Sequence, residues 1–344
     1  MSSHSTDATT LTSDADIEKA VGEIHERYGE MKHQLSQVIV GMEDVTEQLM
    51  IAVLCRGHCI LQGMPGLAKT LLISQLANLM ELSFHRIQFT PDLMPADITG
   101  GEVMEEDKAT GKRDFRFVKG PVFANLVLAD EINRTPPKTQ SALLEAMEER
   151  QLSVGGQTYA LPDPFFVLAT QNPVEVEGTY PLPEAQLDRF LFKIKVTYPT
   201  RDGEREICRR QTTNYKANIE QVFNAEMVKR MQNLVKEVIV SDHVYDAAID
   251  LARNTRPEEG RLPADLKNMV QWGAGPRASI ALLMAAKARA LLHKRVHATT
   301  EDVKHVALPI MRHRIIPTFN AEAAGVDTDD IINQVVKGLR VSAA

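Results

Sequence analysis

Apolar residues recur at three- and four-residue spacing through Ile17, Val21, Ile24, Tyr28, Met31 and Leu35. This spacing predicts an amphipathic helix from Asp16 to about Gln37. A second helix is expected from Met42 to about Arg56. The pattern then changes to short apolar runs: His58–Gln62, His85–Phe89, Asn125–Ala129, Pro164–Ala169 and Leu191–Val196. Helical stretches separate these runs, and that alternation predicts a parallel sheet with helices on both faces. Beyond Thr200 the runs stop, and Arg201 to Val336 reads as helix, with breaks near Pro257–Pro263, Gly273–Pro276 and Pro317. The expected organisation is a tail over residues 1–15, an α/β domain over 16–199 and a smaller all-helical domain over 200–344.

Composition narrows the class. The 344 residues are 44% hydrophobic and 25% charged, as in globular chains, which excludes a fibrous or mostly disordered protein. Lys+Arg is 39 and Asp+Glu is 46, so the net charge is 39 − 46 = −7 and exerts no general pull toward nucleic acid or anionic membrane. No apolar run reaches the roughly 20 residues that span a bilayer. The tail has neither a basic start nor an apolar segment, so it does not read as a leader. Cys55, Cys59 and Cys208 are an odd set, which fits a reduced, cytoplasmic setting better than a disulfide framework. The first two are expected to be buried apolar residues beside a strand.

One segment carries chemistry. Gly63-Met64-Pro65-Gly66-Leu67-Ala68-Lys69-Thr70 follows a strand run and opens a helix through Leu71. Glycine and proline curl such a loop so that successive N–H groups point at phosphate oxygens, with the helix dipole behind them. Lys69 would meet the β- and γ-phosphates, and the Thr70 hydroxyl would be a ligand for Mg²⁺. The common pattern has glycine where Ala68 stands. Alanine suits the position if it already has helical φ and ψ.

Three further groups accompany the loop. Asp130-Glu131 ends the apolar run Leu126–Ala129, where open α/β sheets place ligands. Asp130 would be the second metal ligand and Glu131 the group that orients and deprotonates water. The run Phe165–Ala169 leads to Thr170-Gln171-Asn172-Pro173, where Asn172 is either a γ-phosphate or water contact or the start of an Asn-Pro turn. Arg189 precedes the last strand run, and Arg277 opens a helix after Gly275-Pro276. Each arginine reads as a phosphate contact or as a solvated charge.

Taken together, these motifs resemble the AAA+ ATPases, specifically the MoxR family, over about residues 16–340. Val38-Ile39-Val40-Gly41, the phosphate loop, Ala129–Gln140, Ala169–Pro173, Gly178–Phe190 and Gly275–Ser279 carry the resemblance, and Ala68 is typical of that family. The resemblance implies that Ile39, Val40 and Gly41 pack beside adenine. It makes Asn172 sensor 1, Arg189 an arginine finger for a neighbouring subunit and Arg277 sensor 2 on a helical lid. Arg134 falls in the second region of homology. Hairpin inserts are expected near 101–119 and 151–161.

The resemblance also implies ATP and Mg²⁺ as cofactors and a homo-oligomeric ring, with a hexamer expected. The implied work is chaperone-like maturation of, or metal and cofactor loading into, protein clients, with a separate von Willebrand factor A domain partner. Competing classes are a magnesium-chelatase-type motor subunit and a nucleic-acid motor. Against the latter stand the net charge and the glutamates interleaved among Arg201, Arg205, Arg209 and Arg210. A non-catalytic scaffold would not need Asp130, Glu131 and Arg189. A GTPase would need an Asn-Lys-x-Asp motif, which the chain lacks.

Overall fold

The computed structural model describes residues 14–106, 113–174, 178–259 and 261–339. Most of the expected tail and the tip of the first expected insert lie outside the described residues. In chain order the first part comprises α1 (Asp14–Ser36), α2 (Glu43–Leu54), β1 (Cys59–Gln62), α3 (Lys69–Leu79), β2 (Phe84–Gln88) and α4 (Pro95–Thr99). It continues with β3 (Gly100–Glu106), β4 (Arg113–Lys119), β5 (Leu126–Asp130), α5 (Pro137–Glu149), β6 (Gln151–Val154), β7 (Gln157–Ala160), β8 (Phe166–Gln171), α6 (Glu184–Leu187) and β9 (Phe192–Lys195). The second part holds α7 (Arg201–Gln211), α8 (Ala225–Glu237), α9 (Asp242–Arg253), β10 (Val270–Trp272), α10 (Pro276–Leu292), α11 (Thr300–Met311), β11 (Ile316–Pro317), α12 (Phe319–Ala323) and α13 (Thr328–Gly338).

Five strands form one parallel sheet in the order β2-β5-β8-β1-β9. Their apolar runs face two cores. Cys59, Leu61, Leu126, Leu128, Phe166 and Leu168 enter the core under α1, α2 and α3. Ile60, Val127, Ala129, Val167 and Ala169 enter the core that includes Leu143, Leu144 and Met147 of α5. Side chains alternate across a strand, so a run buried on both sides must be apolar at every position. The edge strand β2 differs, with only Ile87 buried.

Two antiparallel hairpins stand apart from this sheet, β3–β4 and β6–β7. They meet each other: Phe117 stacks on Tyr159 with ring centroids 4.3 Å apart. Val103, Met104 and Phe115 of the first hairpin are exposed.

The second part is helical, with side-chain caps at the starts of α7 (Thr200), α8 (Asn224), α11 (Thr299) and α13 (Asp327). Among the described residues it departs from the all-helical expectation at the antiparallel β10–β11 ladder and at an isolated parallel bridge between Ile239 and His297. Strands of three and two residues, the first followed by Gly273 and the second ending in Pro317, are too short to show a period of two. The two parts share one continuous apolar core running from Val21 of α1 to Ile332 of α13. Polar contacts join them as well: Glu47 of α2 accepts from Arg289 Nε at 3.1 Å and meets His293 Nε2 at 3.0 Å, both on α10.

Candidate active site

The phosphate loop leaves the C-terminal end of β1. A Cβ on Gly63 would lie 2.8 Å from the Val196 carbonyl oxygen, so glycine is needed where the loop passes the end of β9. Gly66 has φ +82°. Ala68 is a correction to the expectation: it precedes α3 as its N-cap, with φ 52° and ψ 23°, in the left-handed region. Glycine would adopt that conformation freely, whereas an L side chain there costs roughly 1–2 kcal/mol. The reason is geometric: the chain must turn sharply before α3 can begin at Lys69. The Lys69 ammonium donates to the carbonyl of Gly63 and to that of Met64 at 3.2 Å. Burial lowers its pKa, partly countered by the charges of Asp130 and Glu131. Thr70 is half-buried and Leu71 exposed in the first turn, while Leu67 is buried and Met64 half-buried against the core.

Asp130 is the last residue of β5 and is buried. Its Oδ1 accepts from Thr170 Oγ1 at 2.5 Å. Its Oδ2 accepts from Arg86 Nε at 2.9 Å and Nη2 at 2.6 Å. The Glu131 backbone N–H donates to Thr170 Oγ1 at 2.8 Å, so one threonine ties the two acidic residues to β8. Glu131 itself is left-handed, with φ 59°. Its Oε2 accepts from Gln88 Nε2 at 2.8 Å and pairs with Arg134 Nε at 3.2 Å, an ion pair within one chain. Arg86 Nη2 also donates to Gln88 Oε1 at 2.7 Å. The acidic pair is therefore gripped by two residues of β2 that share one face of the strand. The Asn172 side chain is buried, and its Oδ1 accepts from Val174 N at 3.2 Å, so it closes a turn just beyond β8.

Arg86, Gln88 and Thr170 were not singled out from the sequence. The available signal was the polar–apolar–polar pattern Arg86-Ile87-Gln88, an edge strand with one polar face turned toward the end of β5.

Arg189 and Arg277 come together elsewhere. Both line a cavity of about 340 Å³ with Arg56, Arg150 and Arg314, opposed by Glu148 and Asp188. Arg189 Nη1 pairs with Glu148 Oε2 at 2.7 Å and donates to the Leu144 carbonyl at 3.1 Å. Arg277 Nη1 pairs with Asp188 Oδ2 at 3.2 Å. Burial and the neighbouring Arg56 charge push the Arg150 pKa down. Cys55–His58 and Asp188–Leu191, which lead into β1 and β9, supply much of the lining. The cavity thus lies at the N-terminal ends of those strands, whereas the phosphate loop lies at the C-terminal end of β1. Four residues of strand separate the two, about 13 Å at ~3.3 Å per residue. The structure groups Arg277 with Arg189 and not with Lys69.

Ile39 is buried under α1, its N–H donating to the Leu35 carbonyl at 2.9 Å, and Gly41 turns the chain into α2 with φ +74°. A Cβ on Gly203 would meet Val40 Cγ1 at 3.6 Å, so Val40 packs at the start of α7. On α7, Arg205, Arg209 and Arg210 pair with Asp202 and Glu206, and Arg210 also donates to the Ser36 and Gln37 carbonyls at the end of α1. Cys55 and Cys59 carry free thiols whose pKa values burial pushes up, and Cys208 is exposed. Among the described residues no cluster of three or more His, Cys, Asp or Glu could hold a metal ion. Thr70 and Asp130 offer the oxygen donors that Mg²⁺ takes when phosphates and water complete its shell. Among the described residues no helix is long and apolar enough to cross a membrane.

Known proteins share this arrangement. Residues 58–192 match the model of an ATPase family associated with various cellular activities (AAA), and residues 264–335 match an AAA lid domain. The chain is 41% identical to the chaperone MoxR1 of Mycobacterium tuberculosis over 304 residues, covering 88% of this chain and 79% of that protein. It is 40% identical to the uncharacterized protein YeaC of Bacillus subtilis over 320 residues, covering 93% and 96%. Protein MoxR of Paracoccus denitrificans is 30% identical over 317 residues, covering 87% and 91%. The crystal structure of a candidate ATPase from Cytophaga hutchinsonii superimposes with a TM-score of 0.87 at 41% identity, covering 96% of this chain and 99% of that one. With a nucleotide-type phosphate loop, an acidic pair at the end of β5 and a matching lid, the chain belongs to the MoxR family of AAA+ ATPases, enzymes that bind and hydrolyse ATP.

Proposed function

We propose that the chain hydrolyses ATP at the contact between neighbouring copies in a closed ring, with six members expected, and uses the resulting motion to remodel client proteins. The observation that carries this reading is the separation of two half-sites on one chain. The phosphate loop and acidic pair occupy the C-terminal ends of the strands, and Arg189 with Arg277 occupies the N-terminal ends of β1 and β9. A head-to-tail contact brings the second half of one copy to the first half of the next, and repetition closes a ring.

In that arrangement Gly63 to Leu71 cradles the phosphates, and Lys69 swings from the loop carbonyls to the β- and γ-oxygens. Ile39, Val40 and Gly41 flank the adenine. Thr70 and Asp130 would hold Mg²⁺, which when bound neutralises the phosphate oxygens. Glu131 orients the attacking water and takes its proton, and Asn172 contacts that water or the γ-phosphate. The neighbour's Arg189 and Arg277 meet the charge that builds on the transferred group, an effect that can be worth about 10³–10⁵ in rate. We place this activity in the cytoplasm, with maturation or metal and cofactor loading of partner complexes as the work and a von Willebrand factor A domain protein as a separate partner.

Two measurements test the reading. Lys69→Ala should lose ATP binding, and Glu131→Gln should bind ATP without turnover. A protein that neither retains ATP nor self-associates in its presence refutes the reading. Proteins retained by Glu131→Gln with ATP, and released by wild type, identify the client.

A further inference from the structure

Three consecutive residues that follow α11 grip the segment carrying Arg189. Arg312 Nη1 donates to the Lys193 carbonyl at 2.9 Å, and His313 Nε2 meets the Phe190 carbonyl at 2.9 Å. Arg314 makes five hydrogen bonds. Nε donates to Asp188 Oδ1 at 2.7 Å, and Nη2 to the carbonyls of Asp188 at 3.2 Å and Phe190 at 2.8 Å. Nη1 donates to the Leu191 carbonyl at 3.1 Å and to that of Ile310. A guanidinium has five N–H groups, so every donor is used, and four of the acceptors belong to Asp188, Phe190 and Leu191, all within two residues of Arg189. The Arg314 side chain is only 5% exposed.

Burying a guanidinium is costly, and an apolar side chain of similar volume supports a fold as well or better. What the planar fork adds is direction: it fixes three backbone positions and one carboxylate relative to α11. Asp188 extends the grip, since its other oxygen holds Arg277 of α10. Two lid helices therefore converge on the residue next to Arg189.

We propose that Arg314 is the positioning residue for Arg189, coupling the lid of one subunit to the arginine that this subunit presents to its neighbour. This rests on the reading that Arg189 acts in trans. A lid that shifts when its own nucleotide changes then moves Arg189, and the next active site in the ring responds.

Subunit mixing tests the proposal. Arg314→Lys keeps the charge and loses the fork. It should bind ATP and assemble like wild type, with kcat reduced about 10²-fold, as expected for a catalytic group displaced by about 1 Å. Mixed with excess Glu131→Gln, whose Arg189 and Arg314 are intact, the Arg314→Lys subunits should regain turnover. Mixed with Arg189→Ala they should not. The control is Arg189→Ala with Glu131→Gln, which must also regain turnover. If the control fails, the in-trans reading falls. If the control succeeds and Arg314→Lys is not rescued, or if Arg314→Lys alone turns over at the wild-type rate, the proposal is overturned. Should Arg314→Lys not fold, Asp188→Asn takes its place with the same outcomes.

Discussion

Asp302 offers a sharp test of how the lid is held. Its side chain is 1% exposed. It accepts from Arg289 Nη1 and from both terminal nitrogens of Arg295, each at 2.6 Å. It also caps α11 through Thr299 N at 2.9 Å and Thr299 Oγ1 at 2.8 Å. Burial opposes its ionisation, but the hydrogen bonds from Arg295, Thr299 and Arg289 prevail and hold its pKa down from 3.8 to about 2. The difference corresponds to about 2 kcal/mol. Because the folded value lies below the unfolded one, this stability is fully present above about pH 4 and is lost as pH falls toward 2. Asp302→Asn should cost about 2–4 kcal/mol at neutral pH, since it also leaves Arg289 and Arg295 without their counter-charge. Urea unfolding followed by far-ultraviolet circular dichroism and by the single tryptophan, Trp272 in β10, reads the loss. Other carboxylates titrate in the same range, so the comparison of the two proteins isolates Asp302. Wild type should lose more stability than Asp302→Asn between pH 4 and pH 2. Equal acid dependence in both would refute the reasoning.

Two further predictions concern the phosphate loop and β2. Ala68→Gly removes a left-handed strain of roughly 1–2 kcal/mol and adds unfolded-state freedom of about 0.4–1 kcal/mol, so a net gain of about 0.5–1 kcal/mol is expected in urea unfolding. A net loss would contradict the conformation assigned to that residue. Gln88→Ala frees Glu131 Oε2 from one hydrogen bond, worth about 1 kcal/mol, and basal turnover should rise about 5-fold at unchanged ATP affinity. A fall in turnover would mean that Gln88 assists Glu131.

The sheet strands other than β2, and the helix α1, were legible because burial dictates their pattern. β1, β5 and β8 bury both faces and so are apolar over Cys59–Leu61, Leu126–Ala129 and Phe166–Ala169, and α1 buries one stripe that includes Tyr28 and Met31. The loop motif was legible because its residues are contiguous. Three features were not. β10 and β11 are too short to carry a pattern. Ala68 looks like a helix starter by residue type, and only the turn into α3 forces its positive φ. Contacts between distant positions leave no local mark: Asp188 and Arg314 are 126 residues apart, and Arg86 and Asp130 are 44 apart.

The arginine cavity carries five guanidinium groups against two carboxylates. Such a surplus repels itself, and a polyanion brought against it lowers the free energy of the contact. In the proposed ring, a copy loaded with triphosphate would therefore hold its neighbour more tightly than one holding diphosphate, and cohesion would become a clock wound by nucleotide exchange. Added salt, which shortens the reach of these charges to about 8 Å at physiological strength, would loosen the seam and slow that clock.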